Sequence, residues 1–344
     1  MKQKERMPAE WEEQKFVQLT WPHQDTDWKP YLEEAYSCFL QIAHEVLKQE
    51  DLLVVSPDVN AVEQQMDDAM IYDGEHEVVM FECESNDTWA RDHGFITTVD
   101  EDGNTILHDF CFNGWGQKFA SDKDNLINES LYEADLFSDV VYADERKVVL
   151  EGGSIESDGK GTIMTTTNCL FAPNRNWFAD KQEAEKMLTS LLGAERVLWL
   201  DHGNLSGDDT DGHIDTLARF CSDDTIVYVQ CMDEQDEDYE ELHLMEQELK
   251  ALTTKEGKPY RLLPLPMAKP MYDEDGLRLP ATYANFLIIN GAVLMPTYNC
   301  EEKDNAAKGV LQMAFPDRKI VGVDCSVLVK QHGSLHCVTM QYFK

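Results

Sequence analysis

Four short polar motifs carry the residue types that could do chemistry in this chain. They are Trp89-Ala90-Arg91-Asp92, Glu151-Gly152-Gly153, Asp211-Gly212-His213-Ile214-Asp215 and Gly333-Ser334-Leu335-His336-Cys337. Together they offer a thiol, an imidazole, several carboxylates and an indole. Cys337 follows a glycine-containing turn, where a thiol open to substrate becomes a nucleophile once deprotonated. Taken alone it reads better as a buried structural thiol, because free cysteine packs as a small hydrophobe. His336 is a poor base for it, since adjacent side chains on a strand face opposite ways. His213 is better placed: His213 and Asp215, two apart, would share one face of an extended segment. A lone histidine after Gly212 reads equally as a turn residue or a metal ligand.

Metal chemistry finds little support in the spacing. Asp209, Asp211, His213 and Asp215 stand at alternate positions and offer oxygen and nitrogen ligands. A calcium-loop register fails, because placing Asp209 and Asp211 third and fifth puts Gly207 first and Ala218 twelfth. Neither an H-E-x-x-H pair nor a zinc-type Cys/His spacing occurs. A metal-dependent hydrolase using Asp92, His213 and Asp215 stays open on these grounds alone. A cation site is the competing reading. Asp92, Glu151 and Asp215 are costly to gather in one cavity unless something positive neutralises them. A planar guanidinium does so, its forked N–H groups matching carboxylates in pairs, and Trp89 adds a flat face for the cation. A Cys337 thiolate placed over the guanidinium carbon would attack it. His213 would protonate the departing ammonia and then activate water against the covalent adduct.

Elements far apart in sequence must bring these motifs together. Helical and extended patterns alternate along the whole chain. Apolar residues from Tyr31 to Leu47 recur at helical spacing after Pro30, and further helices are expected over 181–192, 239–252 and 305–315. Strands are expected over 52–55, 78–81, 148–150, 197–200 and 319–323. Four segments share one plan of polar motif, strand, turn and strand: 89–110, 151–167, 211–230 and 283–297, with turns at 100–104, 158–161, 222–224 and 290–291. Each starts about 60–70 residues after the last, and a fifth unit opens at 333–343; repeats of this length indicate radial or solenoid closure. Radial closure converges the starts of equivalent strands, and hence the polar motifs, on one centre.

Composition bounds the partners. The 344 residues include 66 acidic side chains against 29 Lys plus Arg, a formal charge of −37. Such a surface repels nucleic-acid phosphates and anionic lipid headgroups, so neither nucleic acid nor membrane is an expected partner. With 42% apolar residues and 10% aromatics the chain can fill a core, and its length calls for two domains or one repetitive domain. The start, 1–14, carries no signal-like apolar stretch, and the longest apolar run, 286–296, is too short to cross a bilayer. Nine cysteines without a C-x-x-C pair indicate neither a disulfide framework nor a zinc ribbon. A cytoplasmic location is expected.

At its motifs the sequence resembles the agmatine deiminase family of the guanidino-group-modifying (pentein) superfamily, and equally the bacterial peptidylarginine deiminase group that shares its signature. The matching elements run in order from Met7-Pro8-Ala9-Glu10-Trp11 to about Gln341. They include Thr20-Trp21-Pro22, Asn86 through Asp92, Phe112-Asn113-Gly114-Trp115-Gly116, Leu150 through Ile155 and Asn174-Arg175-Asn176. Thr210 through Asp215, Tyr283-Ala284-Asn285-Phe286 with Asn290-Gly291-Ala292, and His336-Cys337-Val338-Thr339 complete the series. The resemblance implies a fivefold pseudosymmetric α/β propeller (the pentein fold), here a single catalytic domain over residues 1–344. It implies Cys337 as nucleophile, His213 as general acid/base, Asp92 and Asp215 as the guanidinium-gripping carboxylates, Glu151 as the acid beside the histidine, and Trp89 in the substrate pocket. No metal or organic cofactor is expected, and the partner is a small cationic guanidino substrate, compatible with a homo-oligomer.

Three departures bear on the substrate. Gly94 is followed by Phe95 where the family has proline, His332 stands where it has glycine before the nucleophile, and Gln341 is followed by Tyr342 rather than proline. None removes a chemical group, but a histidine in place of glycine narrows the backbone beside Cys337. The expected reaction is hydrolysis of agmatine to N-carbamoylputrescine and ammonia through a Cys337 thiouronium. Free or peptidyl arginine as substrate, amidino transfer to an amine, and a non-catalytic amine binder are the alternatives.

Overall fold

The computed structural model describes residues 4–72, 74–137 and 139–344. Five α/β units follow one another, each an antiparallel hairpin, a helix, and a third strand running parallel to the hairpin's second strand. The first sheet orders Ile96–Asp100, Thr105–Cys111 and Val140–Val149, with Glu5–Arg6 added at its edge. The next three are Ile155–Ser157, Thr162–Thr166 and Arg196–Leu200; Ala218–Ser222, Thr225–Gln230 and Arg261–Pro266; and Leu287–Ile288, Ala292–Thr297 and Lys319–Asp324. The fifth draws on both ends of the chain. Thr339–Phe343 pairs antiparallel with Gln14–Thr20, which runs parallel to Asp51–Ser56, and Val78–Glu82 extends that sheet. The ring thus closes as a five-bladed α/β propeller, with the small hairpin Met271–Tyr272 and Arg278–Leu279 apart from the blades.

The helices follow from apolar periodicity and capping. Leu32–Val46 buries Ala35, Cys38, Phe39, Ile42, Ala43 and Val46, a stripe at i, i+3, i+4 and i+7 spacing. Phe39 and Ile42 are fully buried, each contributing about 1.5–3 kcal/mol by leaving water. Lys181–Leu192 starts where Asp180 accepts from Glu183 N, while Glu183 Oε2 accepts from Ala179 N, and stops at Gly193 with a left-handed φ of 69°. That pairing of caps satisfies backbone groups the helix leaves open.

Several details depart from the sequence reading. Segment 333–343 does open the fifth unit, but that unit is completed from the other end of the chain by Gln14–Thr20 and Asp51–Ser56, a pairing no local pattern signals. The strand expected over 148–150 runs from Val140 to Val149, its charged centre Asp144-Glu145-Arg146-Lys147 having hidden its length. The helices Val59–Asp68 and Asp124–Glu133 were not expected, since only Val62 and Met66 are buried in the first and apolar Ile127 and Leu131 in the second. The strand-face arguments for His213 and His336 do not hold, because the motifs lie on tight turns ahead of the hairpins. Those turns are Ala90–His93, Gly152–Ser154, Ile214–Thr216 and residues 335–338. The nine cysteines are free thiols. Among the described residues no helix is long and apolar enough to cross a membrane; of the polar start read over 1–14, residues 1–3 lie outside the described residues.

Candidate active site

Gly153 marks the centre of the site. A Cβ there would lie 2.6 Å from His213 Nδ1, 2.9 Å from Asp92 Oδ1 and 3.0 Å from Asp215 Oδ2, so three motif side chains converge where one methyl group is missing. Asp92 is held from two sides, its Oδ1 accepting from Gly153 N at 3.0 Å and its Oδ2 from Trp115 Nε1 at 2.9 Å. The turn carrying Asp92 is tied to the turn carrying the thiol, because Arg91 N donates to Cys337 O at 3.2 Å.

Cys337 Sγ lies 4.0 Å from Asp215 Oδ2 and 3.3 Å from Asn285 Oδ1. Asn285 Oδ1 also accepts from His336 N at 2.9 Å and Cys337 N at 3.3 Å, which fixes the turn backbone beneath the sulfur. His336 turns away from the thiol. Its Nδ1 is 2.8 Å from Asp215 Oδ2 and its Nε2 2.8 Å from Glu10 Oε1. Behind it, buried Arg219 bonds Glu10 and Glu156, so the carboxylate beside the thiol is backed by a network of alternating charge.

His213 stands between two carboxylates without bonding either: Nδ1 is 3.7 Å from Asp92 Oδ1, and Nε2 is 3.9 Å from Glu151 Oε2. Among the described residues, neither ring nitrogen of this buried histidine, nor Oδ1 of Asp215, has a hydrogen-bond partner. Buried polar groups are normally satisfied; Nε2 faces buried Glu151, so Nδ1 and Asp215 Oδ1 are the atoms left for an incoming molecule. Glu151 is engaged instead by Arg175, whose Nε donates to both carboxylate oxygens at 2.9 and 3.1 Å.

The charges of the site follow from burial and neighbours. Burial opposes an imidazolium at His213, but Asp92, Cys169 and Glu151 outweigh it and hold the ring's pKa well above the ordinary histidine value. Burial raises the Asp92 carboxyl to about 6, partly countered by His213. At Asp215 burial is outweighed by His336, His213 and Arg219, which hold the carboxyl below its ordinary value. Burial and then the carboxylates of Asp215 and Asp92 push the Cys337 thiol well above the ordinary range. With the cleft empty of cation, the sulfur is a protonated thiol facing negative charge. A cation set between the carboxylates removes the field that disfavours the thiolate.

A cleft of about 330 Å³ opens above this centre. Trp89, Asp92, Trp115 and Cys337 form its buried lining, and Asp27, Asp87, Asp209, Phe119 and His332 its more exposed lining. Trp89 packs 6.2 Å from the Trp115 ring centroid in a T-shape, and Gly333 sits where any Cβ would enter its indole. No Lys or Arg lines the cleft among the described residues. Lys118, on that side, is bonded to Asp209 O at 2.6 Å and Asp211 Oδ1 at 2.9 Å. Burial, with Asp208 next, raises Asp209 to about 6.

Cys337, His213, Asp92, Asp215, Glu151 and Trp89 are therefore brought together, whereas the alternate series Asp209, Asp211, His213, Asp215 is not. Left-handed φ values at Asp211 and Gly212, 66° and 83°, turn the chain so that Asp211 faces Arg175 at 2.5 Å and Asp209 faces the cleft. Among the described residues the one grouping with metal-type donors is Glu151, Cys169 and His213, within 4.8 Å of one another, and its carboxylate is already taken by Arg175. Asn285, Trp115, Arg175 and Cys169 are the site residues whose roles were not read from sequence. Asn285 carried a signal, a single amide inside the apolar run 283–289; Cys169 carried none.

Comparison with known proteins gives the chain's relatives. A family model described as Porphyromonas-type peptidyl-arginine deiminase matches residues 6–342. An agmatine deiminase from Pseudomonas aeruginosa (strain LESB58) is 30% identical over 98% of this chain and 95% of its own. A Porphyromonas gingivalis structure solved under the provisional name arginine deiminase is 52% identical, with a TM-score of 0.92 over 99% of both chains. A structure of C. jejuni agmatine deiminase with substrate bound is 38% identical, with a TM-score of 0.89 over 99% of this chain and 96% of that one.

Proposed function

The chain belongs to the Porphyromonas-type peptidyl-arginine deiminase family, and from that footing we propose that it hydrolyses a terminal guanidino group, with agmatine as its preferred substrate. The products are N-carbamoylputrescine and ammonia. The observation that carries this reading is the pair of unpartnered buried atoms, His213 Nδ1 and Asp215 Oδ1, set beside Asp92 and Cys337, which line the floor of one cleft. A guanidinium offers the N–H donors that Asp92 and Asp215 accept, and it brings the positive charge that turns the Cys337 thiol into a thiolate.

The steps then follow. Entry of the cation sends the Cys337 thiol proton to solvent, and the thiolate attacks the guanidinium carbon. The imidazolium of His213, whose Nδ1 faces this space, gives its proton to the leaving nitrogen, and the C–N bond breaks to release ammonia. A thiouronium on Cys337 remains. Neutral His213 next takes one proton from water as its oxygen bonds to the same carbon; the C–S bond breaks, sulfur keeps the electron pair, the second water proton passes to solvent as the ureido C=O forms, and the product leaves. Residues 1–344 act as one catalytic domain in this reading, in the cytoplasm and without metal or organic cofactor.

Agmatine is favoured over arginine by the outer lining of the cleft, exposed Asp27 with half-buried Asp87 and Asp209, and no Lys or Arg among the lining residues. The ammonium of agmatine meets opposite charge there and the α-carboxylate of arginine meets like charge, each pair worth about 1 kcal/mol at 4 Å even at the dielectric of water. Incubation with agmatine, arginine and a peptidyl-arginine, measuring ammonia and ureido product, tests the substrate. Faster turnover of either arginine form would overturn the choice of agmatine and leave the chemistry standing. Cys337→Ala tests the chemistry, with appreciable residual turnover excluding the covalent route.

A further inference from the structure

The stretch Asn174-Arg175-Asn176 has so far been given no part in the reaction, yet three segments of the site meet on it. Asn174, with a left-handed φ of 65°, donates from Nδ2 to Gly116 O at 3.1 Å and accepts at its carbonyl from Asn113 Nδ2 at 2.6 Å. Those bonds grip the loop of Trp115, the partner of Asp92. Asn176 accepts from Val149 N at 3.1 Å and donates to Val149 O at 2.6 Å, two residues ahead of Glu151. Arg175, 5% exposed, lies between them. Its Nε serves both oxygens of Glu151, its Nη1 bonds Asp211 Oδ2 at 2.5 Å, and its Nη2 bonds Thr210 O at 2.8 Å. One planar guanidinium thereby locks the carboxylate behind His213 to the chain segment that leads into His213. An ammonium has no such fork.

We infer that Arg175 is a positioning residue for the second half of the reaction: it fixes Glu151 behind His213 and offsets part of its charge, so that the ring, an imidazolium in the resting site, can stay neutral and take the proton of the attacking water once the cationic thiouronium has formed. The inference rests on the function proposed above. The first half depends on Asp92 and Asp215 gripping the guanidinium, groups that Arg175 does not touch, and on an imidazolium, which surrounding carboxylates favour. Having protonated ammonia, His213 must then remain unprotonated until water attacks. Asp92, Glu151, Asp215 and Asp209 and the Cys169 thiol all face or act on the ring, and Arg175, bonded to Glu151, is the cation that opposes them from behind. Without it the carboxylates strengthen the ring's hold on a proton further, and the thiouronium waits for a base.

Arg175→Met and Arg175→Lys, both assayed with agmatine, test this. Arg175→Met is expected to lower kcat about 10²-fold, the worth of a positioned acid–base group, and to lower KM with it, leaving kcat/KM little changed because attack by Cys337 precedes the slowed step. Acid-quenched intact-mass spectra in the steady state should show the amidino adduct on Cys337 accumulating well above its wild-type level. Raising the pH should drain that adduct by freeing the imidazole. Arg175→Lys restores charge without the fork, so it should show a smaller fall and less adduct; it carries the test alone if Arg175→Met does not fold. An unchanged kcat, or a fall in kcat with no excess adduct at any pH, overturns the inference. Failure of the underlying reading looks different: Cys337→Ala would keep turnover, and the wild type would show no adduct even on rapid quench.

Discussion

Gly153→Ala separates the fold from the chemistry more cleanly than any substitution of a reacting group. Gly153 does not have a left-handed backbone, so alanine brings no backbone penalty of the kind that glycines at positive φ protect against. The added methyl, however, would stand 2.6 Å from His213 Nδ1, 2.9 Å from Asp92 Oδ1 and 3.0 Å from Asp215 Oδ2. Ordinary contact begins at 3.4 Å, so the three groups must retreat by about 0.8, 0.5 and 0.4 Å respectively. Misplacing reacting groups by about 1 Å costs about 10²-fold in rate, which corresponds to about 2.7 kcal/mol of barrier. We expect kcat/KM for agmatine to fall by that factor or more while the far-ultraviolet circular dichroism stays as in the wild type. Gly309→Ala is the matched control: it lies in the helix Glu301–Ala314 with nothing within 4 Å of its Cβ position. It should leave turnover unchanged and stabilise the protein by up to about 1 kcal/mol. Gly153→Ala enzyme retaining wild-type turnover would refute the convergence of these three side chains on the reacting group.

Two further expectations concern charge. Because the Asp92 carboxyl titrates at about 6, kcat/KM should fall as pH drops below 6, where the guanidinium loses one of its two carboxylates. The sign for stability is opposite: the folded protein keeps this proton up to about pH 6 while an unfolded chain releases it near 3.8, so ionising Asp92 subtracts stability as pH rises through that window. A non-reactive guanidino ligand relieves that penalty and should raise the melting temperature more at pH 7 than at pH 5. Asp209→Asn removes one half-buried carboxylate from the cleft's outer lining. It should raise KM for agmatine and narrow its advantage over arginine, and the KM effect should shrink only in part in high salt, since a half-buried charge is screened less than an exposed one; an unchanged ratio of the two substrates would argue against a role for that wall in selectivity.

Much of the architecture was legible because it repeats. Hairpin turns at 100–104, 158–161, 222–224 and 290–291 were marked by Asp, Asn, Gly and Ser between apolar strands, and the four hairpins lie where those signals stand. The periodic helices ending at Val46 and Leu192 were equally plain. The final strand was read as the opening of a fifth unit, but its partner was not, since Gln14–Thr20 lies more than 300 residues away and pairing over that distance leaves no local pattern. The polar motifs were visible as motifs, but their geometry was misjudged: read as strand starts, they form tight turns, and turns aim side chains by dihedral angles that residue spacing does not encode.

The sequence by itself determined the inventory: a thiol, an imidazole, three separated carboxylates and an indole, each in a polar motif ahead of an apolar hairpin, on a chain of charge −37. Tertiary structure alone decided who faces whom. Ring closure placed His213 Nδ1, Asp92 and Asp215 around Gly153, turned His336 onto Asp215 instead of Cys337, and separated Asp211 from Asp209. It also recruited Asn285, Trp115 and Arg175 from three other segments. The physical reason is that residue types are local properties of a chain, whereas burial, unpartnered atoms and shifted protonation arise only between segments that packing has brought into contact.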